Sequence, residues 1–254
     1  MLAEDFRILT REQIGELFPM GSTRRLNFRL KQLCDAGYLS SRRLDQMGAI
    51  RKSAYYPGPR AVEMFDDATE QRLVATRRAQ TTQLAESGLA HRMLVDSIHI
   101  RFLTAVRENP NYKLVTWIDQ YSPSWADLQK YGVPLQADGY GEYLMLLHFE
   151  NLYTFFLEVD RGTEWGKTMQ DKIDRYVRYA ESGTYERLFA AKQFRVLVVT
   201  TRTHRMEGLL KLMESKPINL FWITTWERFK RAKLLDAYWF RPNQKGTYSL
   251  LSHI

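Results

Sequence analysis

The sequence lacks the features that define several protein classes. Its single cysteine, Cys34, excludes a disulfide framework and a cysteine-based zinc site. No apolar run approaches the ~20 residues that cross a bilayer, and the first residues lack the apolar core of a secretory signal. The sequence also has no repeat, no low-complexity tract and no glycine-rich phosphate loop. We therefore expect a soluble cytoplasmic protein that has no membrane partner.

What the sequence does contain is positive charge concentrated in one segment. The 254 residues carry a net charge of +8. Residues 22–60 hold nine basic and two acidic residues, a net of +7. A solvated charged face usually carries both signs, whereas a cluster of one sign is typical of a surface that binds phosphates. Double-stranded DNA is therefore the predicted partner. The alternative is a protein-interaction domain that binds no nucleic acid, and it leaves this positive charge unexplained.

Helix and hairpin signals surround the basic segment. Capping residues predict a short helix after Thr10 and a second, basic helix over Thr23–Ala36, with Leu33 on its buried side. Strand candidates Leu39–Leu44 and Ile50–Tyr56 follow and flank a turn. This order predicts a winged helix-turn-helix domain over residues 1–66. An ordinary amphipathic helix in a helical bundle is the alternative for the second helix.

Eight side chains of this domain are predicted to contact DNA. Four project from the exposed face of the second helix toward the major groove, namely Arg24, Arg25, Lys31 and Gln32. Four lie on the arms of the hairpin and are assigned to phosphates, namely Arg42, Arg43, Arg51 and Lys52. Phe28 shares the exposed face and is predicted either to support a homodimer or to contact a thymine methyl group.

The remaining chain divides into a connection and a second domain. Residues 67–88 are predicted to form a linker or a loosely packed helix, and residues 89–254 a domain in which strands and helices alternate. The continuous apolar run Phe194–Thr200 indicates a central strand that is buried on both faces. Asp119–Val133 is predicted to be a loop, and Ala237–Phe240 a last strand. The expected fold class is α+β or α/β, with a mixed sheet and flanking helices.

Three carboxylates are predicted to meet at one end of this sheet. The apolar runs Tyr143–Phe149 and Leu152–Val159 indicate a hairpin. Glu158 and Asp160 point to one face of its second strand, and the hairpin brings Asp138 near them. Carboxylate oxygens are the ligands that Mg²⁺ prefers. The alternative is that Asp138 caps a turn and the other two carboxylates end a strand.

A lysine on the following helix adds to this pattern. The helix has an apolar stripe with a period of 3.6 residues, and Lys172 lies at its border. Lys172 is predicted to reach along the packed interface toward the strand ends. The alternative is a lysine whose stem covers apolar surface while its ammonium group stays in water.

These residues carry a resemblance. An Asp, a hairpin, Glu-x-Asp and a helical Lys resemble the PD-(D/E)xK nuclease superfamily. The pattern DGY…LEVDRGTE…K…RY…Y resembles, more narrowly, the replication-relaxation family of plasmids and other mobile elements. The resemblance implies a winged helix followed by a restriction-endonuclease-like sheet. It also implies Mg²⁺, or Mn²⁺ in its place, on Asp138, Glu158 and Asp160, with Lys172 as a further catalytic residue.

The sequence also departs from the superfamily pattern. Asp160 occupies the position where the superfamily usually has Lys, and Ala137 stands where the family usually has Pro. Either Lys172 has taken over the catalytic role or the site is inactive. Two functions remain open: a metal-dependent DNA endonuclease, and a non-catalytic DNA-binding regulator or accessory factor. In both, other proteins of the same mobile element are expected partners.

Overall fold

The computed structural model describes residues 6–44, 52–83, 86–122, 124–130, 132–133, 136–146, 151–162, 167–189, 193–217 and 219–251. The chain forms two compact units, unit 1 over Met1–Ile100 and unit 2 over Arg101–Ile254. Within the described ranges, no helix combines the length and the apolar character needed to cross a membrane.

Unit 1 combines a small antiparallel sheet with helices. Its elements in chain order are β1 (Leu9–Thr10), α1 (Arg11–Leu17), α2 (Thr23–Asp35), β2 (Leu39–Leu44), β3 (Lys52–Pro57), a 3₁₀ helix (Ala61–Met64), α3 (Ala68–Gln83) and α4 (Glu86–Thr104), whose last turn belongs to unit 2. The strand order is β1-β3-β2, with both pairings antiparallel. The two predicted helices and both predicted strands are present. The predicted turn between the strands lies outside the described residues.

Local capping explains where α1 and α2 begin and end. The Thr10 hydroxyl accepts from the Gln13 backbone N–H at 3.2 Å, and the Gln13 side chain accepts from the Thr10 N–H at 2.7 Å. This reciprocal pair is the predicted capping box. Ser22 caps α2 by accepting from the Arg25 N–H at 3.2 Å. Gly37 follows α2 with φ +80°, a left-handed conformation that glycine adopts at low cost.

The structure corrects one expectation for unit 1 and decides another. Leu26 and Leu30 on α2 are buried, but Leu33 is 38% exposed, so its assignment to the buried stripe was wrong. Leu33 lies with them along an open apolar cavity of about 550 Å³, so no closed core covers its side chain. For residues 67–88 the sequence allowed either a linker or a loosely packed helix. The structure has helix α3 there, and this helix buries Val74 and Thr81.

Unit 2 is built on a five-stranded mixed sheet. Its elements are a 3₁₀ helix (Ala105–Arg107), β4 (Tyr112–Asp119), α5 (Ser124–Lys130), β5 (Gly139–Met145), β6 (Asn151–Asp160), α6 (Lys167–Glu181), α7 (Thr184–Leu188), β7 (Phe194–Thr200), α8 (Thr203–Leu212), β8 (Phe221–Thr225) and α9 (Trp226–Arg231). The order is β4-β5-β6-β7-β8. The β4–β5 and β5–β6 pairs are antiparallel, and the β6–β7 and β7–β8 pairs are parallel. The predicted mixed α+β class is confirmed.

One face of this sheet and helices α5, α6 and α8 enclose a shared core. Phe156 and Val196 contribute from the strands, and Ile173 and Leu209 from the helices. Because β6, β7 and β8 are parallel, their carboxyl ends lie at one edge of the sheet, where Asp160 pairs with Thr200 and Thr200 with Thr225. We call this the carboxyl edge.

Two predictions for unit 2 were wrong. The segment Asp119–Val133 contains helix α5, because Trp125 and Leu128 lie three residues apart and are both buried in the core. The last predicted strand, Ala237–Phe240, forms only isolated bridges, from Phe240 to Ile223 and from Trp239 to Tyr248.

Candidate functional site

The pairing of β5 with β6 places Asp138 beside the end of β6. The Asp138 backbone N–H donates to the Leu157 carbonyl oxygen at 3.0 Å. Its carboxylate oxygen Oδ2 accepts from the Val159 backbone N–H at 2.7 Å. The hairpin register therefore holds Asp138 against the backbone that carries Glu158 and Asp160, as the sequence pattern predicted.

Glu158 is buried beneath α6 and bonded to two of its side chains. The Lys172 Nζ donates to Glu158 Oε2 at 2.9 Å, and the Tyr176 hydroxyl donates to Glu158 Oε1 at 2.5 Å. Residues 172 and 176 are four apart and therefore lie on one helix face. Lys172 thus reaches the strand end, as predicted, and its side chain stays 28% exposed. The α6 surface supplies one cation and one phenol to a single buried carboxyl group.

Burial controls the acidity of this cluster. It raises the pKa of the Glu158 carboxyl to about 7, while the Lys172 ammonium group opposes the shift and the Asp138 carboxylate adds to it. Burial, with the neighbouring Glu158, also raises the pKa of the Tyr176 phenol well above its ordinary value. Tyr176 therefore keeps its proton at neutral pH, which suits a hydrogen-bond donor and not a nucleophile.

Asp160 shares a face of β6 with Glu158 but has different partners. Arg205 of α8 binds it in a bidentate ion pair, with Nε to Oδ2 at 2.8 Å and Nη2 to Oδ1 at 3.1 Å. The Thr200 hydroxyl donates to Oδ2 at 3.0 Å and the Gly162 N–H to Oδ1 at 3.2 Å. Both carboxylate oxygens are thus engaged by protein donors.

No role was predicted for Arg205, and Tyr176 belongs to the apolar stripe that the sequence predicts for α6. The signal for Tyr176 was its spacing of four residues from Lys172. Arg205 follows β7, and the parallel pairing of β6 with β7 brings it to Asp160, which the local sequence does not reveal.

The donor set at the carboxyl edge suits a metal only in part. Among the described residues, no group of three His, Cys, Asp or Glu side chains is arranged to hold a metal ion. Mg²⁺ commonly takes one or two carboxylates and completes its shell with water and substrate phosphates. Asp138 and Glu158 match that number, but both oxygens of Glu158 accept from Lys172 and Tyr176. Both oxygens of Asp160 likewise accept from Arg205. The predicted three-carboxylate site therefore remains a prediction.

The predicted DNA contacts of unit 1 lie mostly on exposed surface. Arg24, Arg25, Lys31 and Gln32 are all exposed on α2, and Phe28 beside them is 60% exposed. Lys31 pairs with Asp35 at 2.7 Å. On β2, Arg43 is exposed and Arg42 is half-buried. Lys52 is the first residue of β3, and Arg51 lies outside the described residues.

Comparison with known proteins gives one family. A search of curated proteins and a search of solved structures found no match. The family model described as replication-relaxation matches residues 1–191, three quarters of the chain. The match spans unit 1, Asp138, Glu158, Asp160 and Lys172. On this match, the chain belongs to the replication-relaxation family.

Proposed function

We propose that this protein binds double-stranded DNA through unit 1 and cleaves a phosphodiester bond in unit 2. The reaction would serve replication, relaxation or processing of plasmid or mobile-element DNA. The family points to a role in plasmid or mobile-element replication. The observation that carries the catalytic part is the contact between Lys172 and Glu158 at the carboxyl edge.

The DNA-binding part is supported by the form and charge of unit 1. A short helix, a turn, the capped helix α2 and two antiparallel strands occur in the order of a winged helix. The outer face of α2 presents Arg24 and Arg25 in its first turn, where recognition helices contact base edges. Arg43 on β2 would bind phosphates. Phe28 would contact a thymine methyl group or the second copy in a homodimer.

The catalytic part is supported by the chemistry at the end of β6. Asp138 and Glu158 would hold Mg²⁺, or Mn²⁺ in its place, which supplies charge stabilisation and an acidified water when bound. Lys172, half-exposed beside them, would donate to the scissile phosphate. Tyr176 would orient Glu158. Arg205 would hold the end of β6 in place through Asp160.

A second candidate function is a non-catalytic DNA-binding regulator or accessory factor that docks other proteins of the same element. Two observations favour it. Arg205 occupies both oxygens of Asp160, and Lys172 and Tyr176 occupy both oxygens of Glu158. Such a closed network is satisfied without a metal ion.

The catalytic part is tested with supercoiled plasmid DNA. Wild type should convert it to nicked circles in Mg²⁺ or Mn²⁺ but not in EDTA. Glu158→Gln and Lys172→Met should each lose this activity while still shifting DNA in a gel. The matched control is Lys167→Met, which removes an exposed lysine from the start of the same helix. Nicking that persists in both Glu158→Gln and Lys172→Met would overturn the catalytic assignment, and absence of nicking by wild type would favour the second candidate.

The DNA-binding part is tested with a matched pair of double variants. Arg24→Gln/Arg25→Gln should weaken binding of the cognate duplex about tenfold or more, because a good bidentate base contact contributes about 1–3 kcal/mol. Arg178→Gln/Arg187→Gln removes the same charge from exposed positions on α6 and α7 and should change affinity much less. Equal effects of the two double variants would refute the assignment of α2.

A further inference from the structure

Positive charge outside unit 1 is also concentrated, in the last part of the chain. Residues 226–245 hold six basic and two acidic residues, a net of +4. Together with the +7 of residues 22–60, this leaves a net of −3 for all other residues. The family model ends at residue 191, so this second basic segment lies outside the family match.

The sheet brings an arginine to the end of each parallel strand. Arg161 follows β6 directly, Arg202 follows β7 by two residues, and Arg228 follows β8 by three. The register aligns the three strand ends, since Asp160 pairs with Thr200 and Thr200 with Thr225. Adjacent strands are about 4.8 Å apart, so the three strand ends span about 10 Å.

The exposed members of this row are held in place by their elements. Arg202 is the N-cap residue of α8, makes no side-chain capping bond and is exposed. Arg228 lies in α9, which Thr225 caps by accepting from the Arg228 N–H. Its guanidinium lies 5.1 Å from the centre of the Phe240 ring. A guanidinium at this distance is attracted to the ring, and its several N–H donors can still bind an anion.

The row starts at the candidate site. Glu158 precedes Asp160 by two residues on β6, and the Glu158–Lys172 pair lies at the same carboxyl edge. Two buried acids of that edge are already matched by cations, Glu158 by Lys172 and Asp160 by Arg205. Glu227 is engaged by Lys230 and Arg231. The charge of Arg202 and Arg228 is therefore not balanced by these acids.

We propose that Arg161, Arg202 and Arg228 form a phosphate-binding row along the carboxyl edge of unit 2, where they hold the backbone of double-stranded DNA next to the Glu158–Lys172 site. Ligands of open α/β sheets bind outside the carboxyl ends of the strands, and arginine is suited to the bidentate recognition of phosphate oxygens. This inference rests on the proposed function and adds to it a second DNA contact surface, distinct from α2.

The test uses the full-length protein and a short DNA duplex of arbitrary sequence, so that base recognition does not contribute. Affinity is measured over a series of KCl concentrations. Each phosphate contact contributes about 0.9 to the slope of log affinity against log salt. Arg202→Gln/Arg228→Gln should therefore reduce the slope by about 2, and Arg202→Gln alone, which changes an exposed side chain, by about 1. Arg202→Lys/Arg228→Lys should retain the wild-type slope.

The control is again Arg178→Gln/Arg187→Gln. Both residues are exposed near the end of the α6–α7 crossover, which returns the chain to the start of β7 at the opposite edge. A slope equal to wild type in the Arg202→Gln single variant and the double variant would overturn the row while leaving DNA binding by α2 intact. Wild type that binds no duplex would overturn the row and the DNA-binding proposal together. A slope reduced equally by the control would also overturn the row, because it would show a general charge effect.

Discussion

The ion pair between Asp160 and Arg205 decides whether Asp160 is a structural residue or a free ligand. Its side chains are 3% and 7% exposed, respectively. Removing one partner of a buried pair leaves an uncompensated charge and costs about 3–5 kcal/mol. Arg205→Met keeps most of the side-chain volume and removes the charge. We therefore expect this variant to lower the stability of unit 2 by that amount.

The assay is urea denaturation followed by tryptophan fluorescence. All six tryptophans follow Arg101 in the sequence, so the signal reports unit 2 and separates it from unit 1, whose unfolding need not coincide. Asp160→Asn/Arg205→Met should recover more than half of the lost stability, since neither charge of the pair remains. Lys230→Gln, which breaks an exposed pair with Glu227, should change stability by no more than about 0.5 kcal/mol.

A loss below about 1 kcal/mol in Arg205→Met, the range of exposed pairs, would refute this reasoning. Asp160 would then be only weakly held, and a metal could recruit it as the third carboxylate. A loss of the expected size would instead fix Asp160 as a support for the end of β6.

Three further predictions concern other parts of the fold. The Glu158 carboxyl has a pKa of about 7 in the folded protein and 4.5 in the unfolded chain, so it favours folding most below pH 4.5, and this stability is lost as the pH rises through about 7. Urea titrations should show the loss in wild type but not in Glu158→Gln, and parallel pH profiles of the two proteins would contradict the prediction. Gly141→Ala would place a Cβ 2.3 Å from a Phe155 ring atom and should destabilise unit 2 by about 1–3 kcal/mol, so an unchanged urea midpoint would show that the ring moves freely. Ser22→Ala removes the cap that accepts from the Arg25 N–H and should cost unit 1 about 1 kcal/mol by circular dichroism, whereas Ser22→Asp should be neutral; equal loss in both variants would exclude the cap.

The sequence by itself determined the elements whose causes are local. Capping at Thr10 and Ser22 involves residues three apart, so α1 and α2 were predictable. The run Phe194–Thr200 is apolar at five of its seven positions, and the structure gives β7 the same bounds. The resemblance carried by LEVDRGTE predicted the family that the match over residues 1–191 shows. The reach of Lys172 toward β6 followed from the period of α6.

Only the tertiary structure decided the partners of the site residues. Alternation along β6 placed Glu158 and Asp160 on one face but could not separate their environments. The parallel β6–β7 crossover delivers Arg205 to Asp160 from 45 residues away, and the sheet register aligns the strand ends that Arg202 and Arg228 follow. Burial, which raises the pKa of Glu158, depends on the packing of α6 over the sheet. These are long-range consequences of strand order and helix packing, and no local sequence pattern encodes them.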